Sequence, residues 1–452
     1  MMTIPEFFLQ RIKVQFGDES SRFIEALNNS PVISVRKNPE KKVDLWNDCE
    51  PVAWCKDGRY LSQKPVFTLD PFFHAGCYYP QEASSMILDF VLNSLDAIPN
   101  NPVVLDLCAA PGGKSTLISS WMQGKGILVA NEIIRNRNTI LVENLVKWGY
   151  PNSVVTCNAP SDFSPLCGLF DIIVVDAPCS GEGMFRKEKR AIEEWSEANA
   201  AMCAKRQREI LDNVWNALKP DGILIYSTCT FNPAENEDNI NDFILQNNAE
   251  ALSLNVPQEW GITSINIGTG NGLAFYPHLT KGEGFFIAAI QKREESSRKA
   301  KTERKIKNPC IKQFPDLASM LSCDYDWIFY EKDNNVHTFP SEFRGLLHQL
   351  NQSLNIREYG INIGETGRKG FTPSHNLAMS TAFENKGRFT EIELGHNDAL
   401  KYLKGETVIS SGNKKGVVLF THQGIPLGFG KDVGSRINNL YPANWRIRMK
   451  LN

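Results

Sequence analysis

No apolar run in this chain approaches the ~18 residues that signal a membrane span, and its amino end, MMTIPEFFLQRIK, has no stretch resembling a signal peptide's apolar core. Membrane insertion and secretion are therefore not expected. Net charge is also missing: 49 Lys and Arg face 51 Asp and Glu, so overall charge argues neither for nor against a polyanionic partner. Eleven cysteines are an odd number in a chain of 452 residues, too large to depend on disulfides. Neither C-x-x-C nor H-x-x-x-H spacing occurs, which argues against zinc. The expectation is a cytoplasmic, metal-free, monomeric protein with free thiols. No internal repeat is visible, and the length suits two to four domains.

Charge is unevenly distributed. From Lys401 onward, Lys401, Lys404, Lys414, Lys415, Lys431, Arg436, Arg446, Arg448 and Lys450 face only Glu406 and Asp432, a local basic patch suited to phosphate. Residues 1–100 read as helices around FFLQRIKVQF and RFIEAL, followed by strands at VISVRKNP and PVFTLD. Between 101 and 292, short β-rich runs (VVLDL, ILVANE, SVVTC, DIIVVDA, GILIYST, GFFIAAI) alternate with helical segments, the pattern of a doubly wound α/β sheet. Residues 293–309 continue the charged run KREESSRKAKTERKIK, which begins at Lys292 and lacks apolar periodicity, as a linker would. Residues 310–452 form a separate β-containing module whose clearest signal is GVVLFTHQGIPLGFGK, two strands around a Gln-Gly turn.

VVLDLCAAPGGKST is a strand, a Gly-Gly turn and a helix start, the arrangement in which an open α/β sheet binds a nucleotide-like cofactor outside its strand ends. Glu132 closes the next strand, the usual place for an acid that takes both ribose hydroxyls. PGGKST also suggests a phosphate-binding loop, but the first glycine of G-x-x-x-x-G-K-[ST] falls at Cys108, and an ATPase becomes a minor alternative. A lone cysteine is usually inert core, as Cys108 is expected to be. Cys179 in VVDAPCSGEGM and Cys229 in LIYSTCT differ, because each follows an apolar strand among small or polar residues. Two thiols beside a cofactor turn point to covalent catalysis.

CAAPGGKS (108–115), DAPCSGEG (176–183) and YSTCTFNPAENE (226–237) together resemble the Sun/Fmu-type RNA cytosine-5 methyltransferases, which use S-adenosylmethionine. Agreement extends to VRKNP, YYPQEASSM and FYPHLTKGEGFFIA, while GMFRK, PLGFGK and NLYPANWRIR look closest to the RsmF branch, bacterial rRNA enzymes with an appended PUA-like domain. The resemblance implies a Rossmann-like core between an α+β RNA-binding region and a PUA-like module. It implies a cofactor site of Cys108, Ala109, Ala110, Pro111, Gly112, Gly113, Lys114, Glu132, Arg137, Asn158 and Asp176. Glu132 and Asn158 stand where the family often has Asp, and Asn158 keeps one acceptor while adding a donor.

By the same resemblance Cys229 is the nucleophile at carbon 6 of cytosine, and Cys179 assists, directly or through water, when the product is released. Asp176, if protonated, donates at ring nitrogen 3, while Lys114 either stabilises the thiolate or fixes Asp176. Arg186 and Lys187 would hold a phosphate beside the base. Tyr78 and Tyr79 either stack on RNA or close the core, whereas Phe429, Tyr441 and Trp445 are expected to pack the carboxyl-terminal core. The expected substrate is a cytidine in structured RNA, foremost rRNA or a ribosomal subunit. Transfer RNA and a non-catalytic assembly role are the alternatives.

Overall fold

The computed structural model describes residues 4–293, 314–367, 370–408 and 415–450. Most of the linker expected at 293–309 lies outside them. At the centre five strands run parallel in the order Ser153–Thr156, Ile127–Asn131, Val103–Asp106, Phe170–Asp176 and Leu218–Thr228. Phe285–Lys292 adds antiparallel to the last of these, and further strands extend the sheet to ten. Strand order reverses on either side of Val103–Asp106, so the ligand-binding crevice falls at the carboxyl end of that strand.

Both faces of this sheet are covered, and its sequence shows why. Leu105, Val129, Ile173 and Leu224 point into one apolar cluster, while Val104, Leu128, Ile172 and Ile225 point into the other. Near-continuous Val, Ile and Leu runs are what a parallel strand buried on both sides requires. The helix Glu197–Trp215 packs on the first face through Ile210, Leu211 and Val214, and Ser196 caps its start by accepting from Asn199 N–H at 3.1 Å.

The amino-terminal helices Glu6–Phe16 and Ser20–Leu27 belong to the first cluster, where Phe8 and Phe23 meet Phe185, Trp195 and Phe231. VISVRKNP yields the strand Ile33–Lys37, part of a separate four-stranded sheet. PVFTLD does not form the expected strand. Phe67–Leu69 is a turn of 3-10 helix, because the Asp70 side chain accepts from Phe72 N–H at 2.9 Å and Pro71 fits the first position of the short helix Pro71–His74.

The carboxyl-terminal part contains more than the anticipated hairpin. Gly416–His422 and Ile425–Asp432 do pair across Gln423-Gly424, within a four-stranded sheet. Phe429 and Tyr441 are buried there, and Trp445 packs against the cluster that holds Tyr441 and against the His375 ring. A second four-stranded sheet spans Trp327–Lys332 to Gly370–Pro373. Between its strands, Ile356–Tyr359 leaves to pair antiparallel with Ser153–Thr156, supplying the edge of the central sheet. The boundary expected at 310 is therefore not a break in packing.

A chain ended after Arg293 should lose this edge strand and bare the Ser153–Thr156 backbone. We expect its calorimetric melting temperature to lie below that of the full chain by about 5 °C, since each kcal/mol lost from a core this size shifts it roughly 2–4 °C. Equal melting temperatures would show that the strand adds nothing.

Candidate active site

The parallel register sets Asp176 opposite Ser227, and the two chains remain joined one residue further on, where Ala177 N–H donates to Ser227 O at 2.8 Å. Cys229 follows the strand Leu218–Thr228 directly, and Cys179 stands three residues beyond Asp176. Their sulfurs lie 3.1 Å apart, and Cys229 N–H points at the Cys179 sulfur at 3.3 Å. The hydrogen bond to Cys229, then burial, raises the Cys179 thiol well above its usual range. Either sulfur can donate to the other across this contact.

Lys114, on the first turn of the helix Gly113–Met122, reaches Asp176 Oδ2 at 2.9 Å, and Ser227 Oγ donates to Asp176 Oδ1 at 2.8 Å. Of the two roles left open for Lys114, this geometry is that of fixing Asp176. The preceding turn places Gly112 at φ +116°, a conformation only glycine adopts freely. Ala110 O accepts from Arg137 at 2.7 Å and Pro111 O from Asn144 at 2.8 Å, so the helix Arg135–Trp148 anchors the turn.

Glu132 is buried at the end of Ile127–Asn131. Its Oε1 accepts from Ile134 N–H at 2.8 Å, and its Oε2 faces the Arg137 guanidinium at 3.4 Å. Asn158 donates to Asp162 at 2.9 Å and accepts at 2.8 Å from Asn355 N–H of the carboxyl-terminal part, so each carboxamide atom keeps one valence for a ligand. Burial, and then the charges of Asp106, Asp176 and Glu132, pushes the Cys108 thiol up, which disfavours a thiolate there.

Arg186 does not offer the expected phosphate contact. Its side chain is 5% exposed, pairs with Glu283 at 2.6 Å and also donates to Gly282 O. Removing one partner of such a pair costs about 3–5 kcal/mol, which makes it a brace rather than a free cation. Lys187 lies 3.9 Å from Glu283 and is 25% exposed, so it remains available. Tyr78 is buried and donates to Asp70 at 2.7 Å, whereas Tyr79 stands beside Gly113 at the cofactor turn.

Several residues of the site carried no assignment in the sequence reading. Asp106 is an acid inside the apolar run VVLDL. It is fully buried, accepts from Ser115 Oγ at 2.6 Å, and leaves its other oxygen without a partner. Arg36 of VRKNP is buried against Trp148, donating to Gln81 at 2.8 Å and to Thr116 at 2.6 Å, and so fixes the start of the cofactor helix. For Asp106 the available signal was a lone charge within an apolar run, whereas Arg36, beside Lys37 in VRKNP, had no such signal.

Fold and site together define an S-adenosylmethionine-dependent RNA methyltransferase. The sequence pattern of the 16S rRNA methyltransferase RsmB/F family matches residues 94–291, that of the N-terminal domain of 16S rRNA methyltransferase RsmF residues 4–83, and that of the methyltransferase RsmF PUA domain residues 389–447. The chain is 31% identical over 409 residues to ribosomal RNA small subunit methyltransferase F of Erwinia tasmaniensis, covering 87% of this chain and 84% of that one. Against the protein of the same name from Aliivibrio fischeri it is 30% identical over 436 residues, covering 93% and 89%. It belongs to the ribosomal RNA small subunit methyltransferase F family.

Among solved structures, a methyltransferase homolog protein from Pyrococcus horikoshii superimposes with a TM-score of 0.55 at 29% identity, covering 64% of this chain and 96% of that chain. NSun6 from the same organism, solved with SFG, has the same core fold, with a TM-score of 0.55 at 22% identity, covering 65% and 100%.

The residues present fit the cofactor. S-adenosylmethionine carries a sulfonium and an ammonium, and the crevice offers the carboxylates of Asp106, Glu132 and Asp176, one of them with an orphaned oxygen. Burial raises Asp106 to about 7. A cationic ligand favours the ionised form, so affinity should weaken as pH falls from 8 to 6, by at most about tenfold per unit, and Asp106→Asn should flatten that dependence. Titration calorimetry at several pH values measures both, and an equal slope in the variant would remove Asp106 from the linkage. Glu132→Ala should weaken cofactor binding at every pH with the fold retained, and unchanged affinity would remove Glu132 from the site.

Proposed function

We propose that this protein methylates carbon 5 of a cytidine in small-subunit ribosomal RNA, with Cys229 as the nucleophile and Cys179 as the thiol that resolves the adduct. The 3.1 Å approach of the two sulfurs at the cofactor crevice carries this reading. Bound S-adenosylmethionine supplies an electrophilic methyl group, and the turn 108–114 with Glu132 and Arg137 holds it. The Cys179 S–H stabilises Cys229 as a thiolate, whose electron pair forms the bond to carbon 6 while the ring π pair moves to carbon 5. Asp176, held by Lys114 and Ser227, meets the base edge and, when protonated, donates at nitrogen 3.

Once the Cys229 sulfur is bonded to carbon it is no longer an anion, and the hydrogen bond that kept the proton on Cys179 is lost. Cys179 then gives its proton to solvent water, and its thiolate, supported by Cys229 N–H, takes the proton from methylated carbon 5. The electrons left behind restore the double bond and expel Cys229. A paired cytosine must be unstacked before either sulfur reaches it. Lys187 and the basic carboxyl-terminal module attract the RNA backbone. We further propose that the protein acts as a cytoplasmic monomer without a metal. The names of its relatives favour rRNA over transfer RNA, and bisulfite sequencing of total RNA with and without the protein tests that choice.

Cys229→Ala should yield neither methylated RNA nor a covalent complex. Cys179→Ala should permit addition and methyl transfer but stall elimination, so a denaturation-resistant protein–RNA adduct accumulates when cofactor is present. The double variant should give neither. Denaturing gels with labelled RNA read all three, and full activity in either single variant would sink the two-thiol mechanism.

A further inference from the structure

Parallel strands lie about 4.8 Å apart, and the loops beyond their ends are free to diverge, so strand pairing alone does not set a 3.1 Å sulfur approach. Two wholly buried carboxylates lie between the cysteine loops. Glu182 stands on the loop that carries Cys179. Its Oε2 accepts from Phe231 N–H at 3.2 Å, two residues beyond Cys229, and its Oε1 accepts from Trp195 Nε1 at 2.9 Å. Glu235 stands on the Cys229 side. Its carboxylate accepts from Ser180 N–H at 2.8 Å, from Ser180 Oγ, from Gln207 at 3.1 Å and from Thr230 Oγ1 at 3.3 Å. Each carboxylate begins on one loop and closes on the backbone of the other.

Three further contacts fix this register. Gly183 N–H donates to Cys229 O at 2.9 Å, and a Cβ on Gly183 would lie 2.9 Å from that oxygen and 2.4 Å from Gly284 O, so only glycine lets the loops approach. The counter-charge of Glu182 is Arg11 of the amino-terminal helix, 2.6 Å away, in an ionic contact rather than an aligned hydrogen bond. Gln15, one turn further along, donates to Phe231 O at 3.0 Å. Four donors around Glu235 match an acceptor-only carboxylate.

We propose that Glu182 and Glu235 are positioning residues, a reciprocal pair of carboxylates that holds the two cysteine loops in register and sets the approach of Cys179 to Cys229, with Arg11 tying that register to the amino-terminal helix. The consequence for turnover rests on the two-thiol chemistry proposed above. The register itself does not.

The test uses the full chain with Glu182→Gln and Glu235→Gln, each of which keeps the shape and turns one acceptor into a donor facing donors. Diamide, a diazene oxidant, reads the sulfur approach directly: Cys179 and Cys229 form a disulfide while their two protons and two electrons reduce the diazene to a hydrazine. Mass spectrometry of the cross-linked peptides follows its rate. The unsubstituted protein should cross-link readily, and each Gln variant about tenfold or more slowly, with cofactor affinity by calorimetry within about twofold. Turnover should fall about tenfold to a hundredfold, the scale of a misplacement of about 1 Å, with the RNA adduct accumulating as Cys179 loses its reach. Ser180→Ala deletes one donor but keeps the backbone bond, and should slow cross-linking by a smaller factor in a chain that folds normally.

Unaltered cross-linking and turnover in both Gln variants would overturn the proposal. So would a loss of cross-linking that comes with equal losses of cofactor binding and melting temperature, or a Ser180→Ala variant that cross-links at the full rate. If cross-linking depends on the carboxylates while Cys179→Ala forms no RNA adduct in the presence of cofactor, the register stands and the two-thiol chemistry fails.

Discussion

The site depends on one backbone relationship, the parallel pairing of Phe170–Asp176 with Leu218–Thr228. Cys179 and Cys229 are separated by 50 residues of chain, and this ladder, extended by Ala177 N–H to Ser227 O, brings their loops to the same end of the sheet. A shift of one residue would turn Asp176 and Ser227 to opposite faces and send their side chains into the apolar layers. The alternating burial of Ile172, Ile173, Val174 and Val175 in two clusters makes such a shift costly. The core thus holds the chemistry in register without contributing a reactive group.

Around that end the protein handles buried charge in three ways. Arg186 and Glu283 neutralise each other, Glu235 is surrounded by neutral donors, and Asp106 keeps an unpartnered oxygen at a raised proton affinity. The first two are braces. An orphaned carboxylate beside a glycine turn is instead costly in the free protein and suited to a cationic ligand, which places it with the cofactor.

The parts outside the central sheet are built into it. The amino-terminal helix reaches both cysteine loops through Arg11 and Gln15, and Asn355 holds Asn158 while Ile356–Tyr359 closes the sheet edge. The region matched to the N-terminal domain of RsmF therefore touches the two cysteine loops directly, while the contacts on the cofactor side come from residues 355–359, ahead of the PUA match at 389–447.

Local sequence was enough for the central sheet, because uninterrupted Val and Ile runs between turn residues leave a strand buried on both faces as the favoured solution, and it singled out the two thiols whose sulfurs the fold brings within 3.1 Å, because each follows such a run. The Gly-Gly turn and Glu132 were legible for the same local reason. Tertiary structure alone decided the rest. Arg186 looked like an exposed cation until Glu283, nearly a hundred residues away, took it up. PVFTLD had strand composition, yet Asp70 and Pro71 capped a helix there. The edge strand Ile356–Tyr359 and the contacts of Glu182 and Glu235 join segments distant in sequence. Apolar patterning follows the near neighbours of a residue, but the partner of a buried charge or an unpaired strand edge is chosen by whatever the fold brings against it.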